Sequence, residues 1–177
     1  MVSRCAVSPC VHDGRVTTPR PTAELPADAA VVLLVRHASA GDSSTWRGPD
    51  SERPLDERGR RQAAEIAAVL PSYAPIRVIS APPLRCLATV EGVAAAVGVP
   101  LEVDPLFGEE AAPTDPAGHL LEVLVPGSAV VVCSQGGIIP RVLAALGVEP
   151  ERIRARKGSV WVLTVHEGRL LQGDLLE

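Results

Sequence analysis

Three short stretches bring together residue types that hold or attack anions: Arg36-His37, Ser80 through Arg85, and Ser134-Gln135-Gly136-Gly137, each following an apolar run. Arginine offers a planar fork of N–H donors that matches two phosphate oxygens at once. Histidine adds a ring that is partly neutral at pH 7. Paired glycines let the backbone approach closely where a helix opens, and the first amides of a helix are unpaired donors. Two arginines and a histidine aimed at a helix N-terminus describe an oxyanion site. Arg47 and Arg53 lie in the polar stretch between the first two spots, where each is either a substrate contact or a solvated or structural arginine. The net charge of −4 gives no general attraction to nucleic acid or anionic lipid. Any phosphate bound here depends on a local arginine cluster.

The elements that must position these residues alternate regularly. A five-residue apolar run at 31–35 reads as a strand buried on both faces and ends at Arg36-His37. Residues 38–55 are polar and contain Gly and Pro, hence a loop. Asp56 can cap a helix running to Leu70, ended by Pro71. A strand at 76–80, a helix at 84–97 stopped by Gly98, and a short strand at 101–103 follow. After a loop over 104–116 come a helix near 118–125, a strand at 129–133 and a helix at 138–146. Segments 160–165 and 169–173 read as a closing hairpin through Glu167-Gly168.

This alternation predicts an α/β domain: a three-layer α/β/α sandwich around a mostly parallel sheet. The core is drawn from Ala, Val, Leu and Ile, with only Trp46, Tyr73, Phe107 and Trp161 aromatic, which suits a parallel sheet under alanine-rich helices. In such sheets ligands bind beyond the carboxyl ends of the strands, where all three anion-binding spots fall. Residues 1–28 hold four prolines and no periodicity and read as a flexible extension; 29–177 is the domain. The chain has no run of about 18 apolar residues for a membrane span and no apolar run for a signal peptide. A cytoplasmic location is expected. Cys5 and Cys10 with His12 match no strong zinc pattern, and no metal or cofactor is expected. Cys133 is not a phosphatase nucleophile, since that chemistry needs an arginine six positions on and position 139 is Ile139.

With those residues in place, LVRHASAG at 34–41, RPLDERGRRQA at 53–63 and SAPPLRCLATV at 80–90 resemble the histidine phosphatase superfamily, also called phosphoglycerate mutase-like. The compact size resembles its small SixA-like phosphohistidine phosphatase branch. The stretch from Thr45 to Ala63, with CSQGG and RKGSVWVL, is similar to phosphatase domains fused to Nudix hydrolases. The resemblance spans roughly 31–174 and implies a phosphoglycerate mutase-like fold. It implies that His37 attacks the phosphoryl phosphorus, forming a phosphohistidine that water hydrolyses. Arg36 and Arg85 are implied as phosphate ligands, and a carboxyl in the loop after the third strand as general acid. Glu109 is preferred over Glu110.

The family pattern is broken at one place. Where it has a second histidine in a Ser-His-Gly context, this chain reads Ser134-Gln135-Gly136. Glutamine donates from a neutral amide but carries no charge. Gln135 is therefore expected in the phosphate pocket, with Gly136 as a possible substrate contact, and activity is full, reduced or lost. The implied function is hydrolysis of a phosphomonoester or phosphohistidine, metal-independent, through phospho-His37. The alternative is a phosphate-binding regulatory module with weakened or absent turnover. No long insertion separates His37 from Glu109, so an open site is expected, one that admits a phosphoprotein or a bulky nucleotide.

Overall fold

The computed structural model describes residues 25–176. Most of the segment read as an extension, with Cys5, Cys10 and His12, lies outside the described residues. At its end, Asp28 accepts a 2.8 Å hydrogen bond from the Gly127 amide and contacts His166 at 3.2 Å.

Six strands form one sheet: β1 (Ala30–Arg36), β2 (Pro75–Ser80), β3 (Leu101–Val103), β4 (Ala129–Ser134), β5 (Val160–His166) and β6 (Arg169–Leu176), in the order β3-β2-β4-β1-β5-β6. The pairs β1·β4, β2·β4 and β2·β3 are parallel, and β5 and β6 close the other side as an antiparallel hairpin. Continuous Val/Leu runs occupy the central strands because those strands are covered on both faces; every residue of β4 is buried. Four helices cover the sheet in two packed pairs: α1 (Glu57–Val69) with α2 (Leu84–Val97), and α3 (Pro116–Glu122) with α4 (Ile138–Ala145). None of these helices is long and apolar enough to cross a membrane.

The strand order decides where chemistry can occur. β4 is inserted between β1 and β2, so their three parallel carboxyl ends lie side by side. The chain leaves β1 toward α1 and leaves β4 toward α4, and the crevice opens between those two departures.

Local differences from the sequence reading have identifiable causes. α3 begins at Pro116 and ends at Glu122, not near 118–125, because Asp115 caps it on the Gly118 amide at 2.8 Å and Pro116 fills the first turn. Pro71 does not end the backbone winding: a 3-10 turn continues through Leu70–Tyr73 and stops at Ala74, which has φ 49°. β6 runs to Leu176, since its partner β5 offers Val160 and Trp161 for pairing with Leu176 and Leu175. A 3-10 turn over Asp50–Glu52 interrupts the 38–55 loop.

The first turn of α1 presses against the segment leaving β1. An added Cβ at Gly59 would lie 1.8 Å from the Ser39 carbonyl oxygen. No flexible side-chain end is available to yield there. Gly59→Ala should therefore destabilise the fold by about 2–3 kcal/mol, at the upper end of overpacking penalties, read as a lowered midpoint in urea unfolding. A midpoint equal to wild type would contradict the close approach.

Candidate active site

His37 sits one residue past β1 and is 5% exposed. Its amide donates to the Ser134 carbonyl at 3.1 Å and its carbonyl accepts from Gly158 at 3.1 Å. Its ring Nδ1 lies 2.8 Å from the Ala38 carbonyl oxygen. A carbonyl only accepts, so Nδ1 carries the proton and Nε2 keeps a free lone pair. Burial pushes the ring pKa down from 6.5 to about 4, and the positive charges of Arg85, Arg36 and Lys157 push the same way. The hydrogen bond to Ala38 acts in opposition. At pH 7 the imidazole is neutral, a stronger statement than the partly neutral ring expected from an unperturbed histidine.

The segment after His37 is gripped by the residues of the RPLDERGRRQA stretch. Asp56 accepts from Ser39 Oγ at 2.7 Å, from the Gly41 amide at 2.9 Å and from the Gly59 amide at 2.7 Å. It caps α1 and anchors the loop with one carboxylate. Gln62 accepts from the Ser39 amide at 2.9 Å and donates to the Lys157 carbonyl at 2.8 Å. Thr89 of α2 accepts from the Ala38 amide at 2.9 Å. Loop, helix and the approach to β5 are thereby locked around one imidazole.

The arginines take different positions. Arg36 donates to the Ala155 carbonyl while its Nε is buried without a partner among the described residues. Its guanidinium lies against Gly136, where an added Cβ would come within 2.5 Å of Nη2. Arg85, at the start of α2, is 4% exposed and donates to the Asp50 carbonyl oxygen at 2.6 Å and the Asp50 carboxylate at 2.9 Å; its Nε also has no partner among the described residues. The same Asp50 carboxylate accepts from Arg53 at 2.8 Å, and Arg53 donates to the Ala40 carbonyl at 2.7 Å. Arg53 therefore braces the loop at the edge of the site. Arg47 is exposed and lies outside the cleft.

Glu109 and Gln135 meet across the cleft. Glu109 accepts from the Gly137 amide at 2.7 Å, and the Gln135 side chain exchanges hydrogen bonds with it. Glu110 lies beside a separate hollow with Pro82, Pro105 and Ala111. His37, Arg36, Arg85, Glu109, Gln135, Gly136 and Arg53 all line one open cleft of about 870 Å³. Asp50, Arg58 and Lys157 are among the lining residues that sequence reasoning missed. Asp50 sits in a loop with no periodicity to mark it. Arg58 lies one residue before the glycine of the matched stretch, and Lys157 is the chain's only lysine, taken as a trait of composition. Cys133 is fully buried, and burial pushes its thiol up, which suits a core side chain.

The His37 ring should titrate with a midpoint of about 4 in the free protein, followed by its ring-proton chemical shift in NMR. Protonation below that midpoint removes the nucleophilic lone pair, so the acid limb of kcat/KM should fall there also. A midpoint near 6.5 would contradict the burial argument.

Residues 32–112, which carry Arg36, His37, Arg85 and Glu109, match the model of the histidine phosphatase superfamily (branch 1). Over 158 residues the chain is 37% identical to an 8-oxo-(d)GTP phosphatase of Mycolicibacterium smegmatis, an alignment covering 85% of this chain. The chain spans about half the length of that relative, 49%. Among solved structures, the SixA protein of Agrobacterium tumefaciens superposes with a TM-score of 0.67 at 22% identity, covering 83% of this chain and 97% of that one. A SixA protein histidine phosphatase complexed with tungstate gives 0.65 at 23% identity, covering 83% and 94%. These likenesses carry the fold, and the matched motif carries the family. Residues 32–112 thus carry the histidine phosphatase superfamily match, and the described residues have its phosphoglycerate mutase-like α/β fold.

Proposed function

We propose that this chain is a phosphatase that removes a phosphoryl group from a phosphomonoester or phosphohistidine through a covalent phospho-His37 intermediate. The observation that carries the reading is the buried neutral imidazole with Nδ1 bonded to the Ala38 carbonyl and Nε2 free, flanked by Arg36 and Arg85. Nε2 attacks phosphorus, and the bond to the leaving atom, the oxygen of an ester or the nitrogen of a phosphohistidine, breaks with its electron pair on that atom. Glu109 gives the leaving atom a proton. Water then attacks the phosphohistidine, Glu109 takes the proton, and the N–P electron pair returns to Nε2. The Nδ1–H···O bond to Ala38 steadies the imidazolium character of the intermediate. The buried unpartnered Nε atoms of both arginines are donors suited to the phosphoryl oxygens. Guanidinium groups supply the charge stabilisation, so the reaction is written without a metal.

The cleft is open and wider than one phosphoryl group requires, which favours a bulky substrate such as a phosphoprotein or nucleotide. The relative's name, an 8-oxo-(d)GTP phosphatase, makes a nucleotide the first class to screen. A second reading, a binding module without turnover, draws on the loss of the family's second histidine at Gln135.

Hydrolysis of an aryl phosphate by the purified protein, without added metal, separates the readings. Wild type should turn over, and His37→Ala should lose at least about 10³-fold in kcat, as nucleophile removal does elsewhere. Activity surviving in His37→Ala would overturn the mechanism. A silent wild type that binds tungstate, with activity gained in Gln135→His, would favour the binding module.

A further inference from the structure

Gln135 is 6% exposed, and its backbone carbonyl accepts from the amides of Ile138 and Ile139 at 3.2 and 3.4 Å, which fixes it at the entry to α4. Its side-chain oxygen accepts the Glu109 amide N–H at 2.9 Å. An N–H can only donate, so the amide oxygen must face it, and this sets which end of the side chain is which. The Nε2 end is thereby turned to the Glu109 carboxylate, 3.3 Å from Oε2. The Gly137 amide holds the other carboxylate oxygen at 2.7 Å.

The rest of the loop is pinned to the same strand end. Ser134 Oγ donates to the Phe107 carbonyl at 2.7 Å, and an added Cβ at Gly108 would fall 3.1 Å from the Pro105 carbonyl oxygen. One side chain therefore grips both the backbone and the carboxylate of the residue that would move the proton.

We propose that Gln135 is a positioning residue for Glu109, acting on proton transfer to the leaving group and not chiefly on the phosphoryl oxygens. The proposal rests on the phosphatase reading above. It gives the departure from the family pattern a chemical purpose. A protonated histidine at 135 would set a cation beside the carboxylate and favour its ionised form, opposing the protonated acid that the first step uses. A neutral amide donor favours the ionised form less than a cation would, and still holds the carboxyl in place.

The test is a leaving-group series, from 4-nitrophenyl phosphate through phenyl phosphate to an alkyl phosphate, with wild type, Gln135→Ala, Gln135→His, Glu109→Gln and the Gln135→Ala/Glu109→Gln double variant. Nitrophenolate departs without a proton, whereas an alkoxide does not, so loss of the acid must slow the alkyl ester more than the nitrophenyl ester. In Gln135→Ala the ratio of kcat/KM for alkyl over nitrophenyl ester should fall by about 10- to 100-fold, up to the lower end of the about 10²–10⁴-fold that a positioned acid contributes, since the acid is misplaced and not removed. Glu109→Gln should shift the ratio the same way, and the double variant should shift it no further, because the two residues act as a unit. Gln135→His should not restore it. The inhibition constant for inorganic phosphate should move less than about threefold in Gln135→Ala. Equal losses across the series with weakened phosphate inhibition would make Gln135 a phosphate ligand and overturn the proposal, as would an unchanged ratio or a ratio raised by Gln135→His. If wild type hydrolyses none of the esters, the phosphatase reading fails and this proposal with it. If wild type is active and the split is absent, only this proposal fails.

Discussion

A histidine ring kept out of water is the constraint around which the site is arranged. Moving its pKa from 6.5 to about 4 corresponds to about 3 kcal/mol against charging it, and burial is the main cause. That penalty reaches the fold only as pH drops below 6.5, where the unfolded chain takes up the proton and the buried ring does not. At neutral pH the ring is held in place by β1 being paired on both sides, by Ser134 and Gly158 fixing the His37 backbone, and by the Nδ1–H donating to the Ala38 carbonyl. A ring so held offers an uncharged nitrogen at neutral pH, and phosphoryl transfer to nitrogen begins from that state.

The cations around it would repel one another without compensation. Asp50 lies between Arg53 and Arg85 and accepts from both, holding Arg85 to the loop while leaving its Nε unpartnered. Its carboxyl is held below the usual range, first by the hydrogen bond from Arg53. Across the sheet edge, Glu109 is carried by Gln135 and the α4 amide of Gly137. Positive groups thus gather on the β1 and α2 side, and the Glu109 carboxyl is held on the β4 and α4 side. The three adjacent parallel strand ends bring those sides together.

Much of this was legible in the sequence because the signals were local. Val and Leu runs marked β1 and β4, Asp56 marked the cap of α1, and Gly98 ended α2 with φ 72°. The α/β class followed from alternation, and the convergence of Arg36-His37, Arg85 and Gln135 from their places after strands. What was not legible depends on tertiary contacts. Asp50, Arg58 and Lys157 are ordinary charged residues until folding brings them to the cleft. The depressed His37 pKa is a product of burial, and no residue pattern announces it. Gln135 could be noticed as a departure, but the direction of its amide needed the position of the Glu109 backbone.

The central claim is that the neutral Nε2 of His37 becomes the phosphoryl acceptor. It is tested most directly by mixing the protein with ³²P-labelled substrate, quenching in alkali within one turnover and locating the label by peptide mapping. A phosphoramidate survives base and is lost in acid, which sets it apart from a phosphoserine ester. The account predicts label on the His37 peptide, stable to alkali, released by acid and absent in His37→Ala. Turnover without any labelled intermediate, or label on another residue, would contradict it.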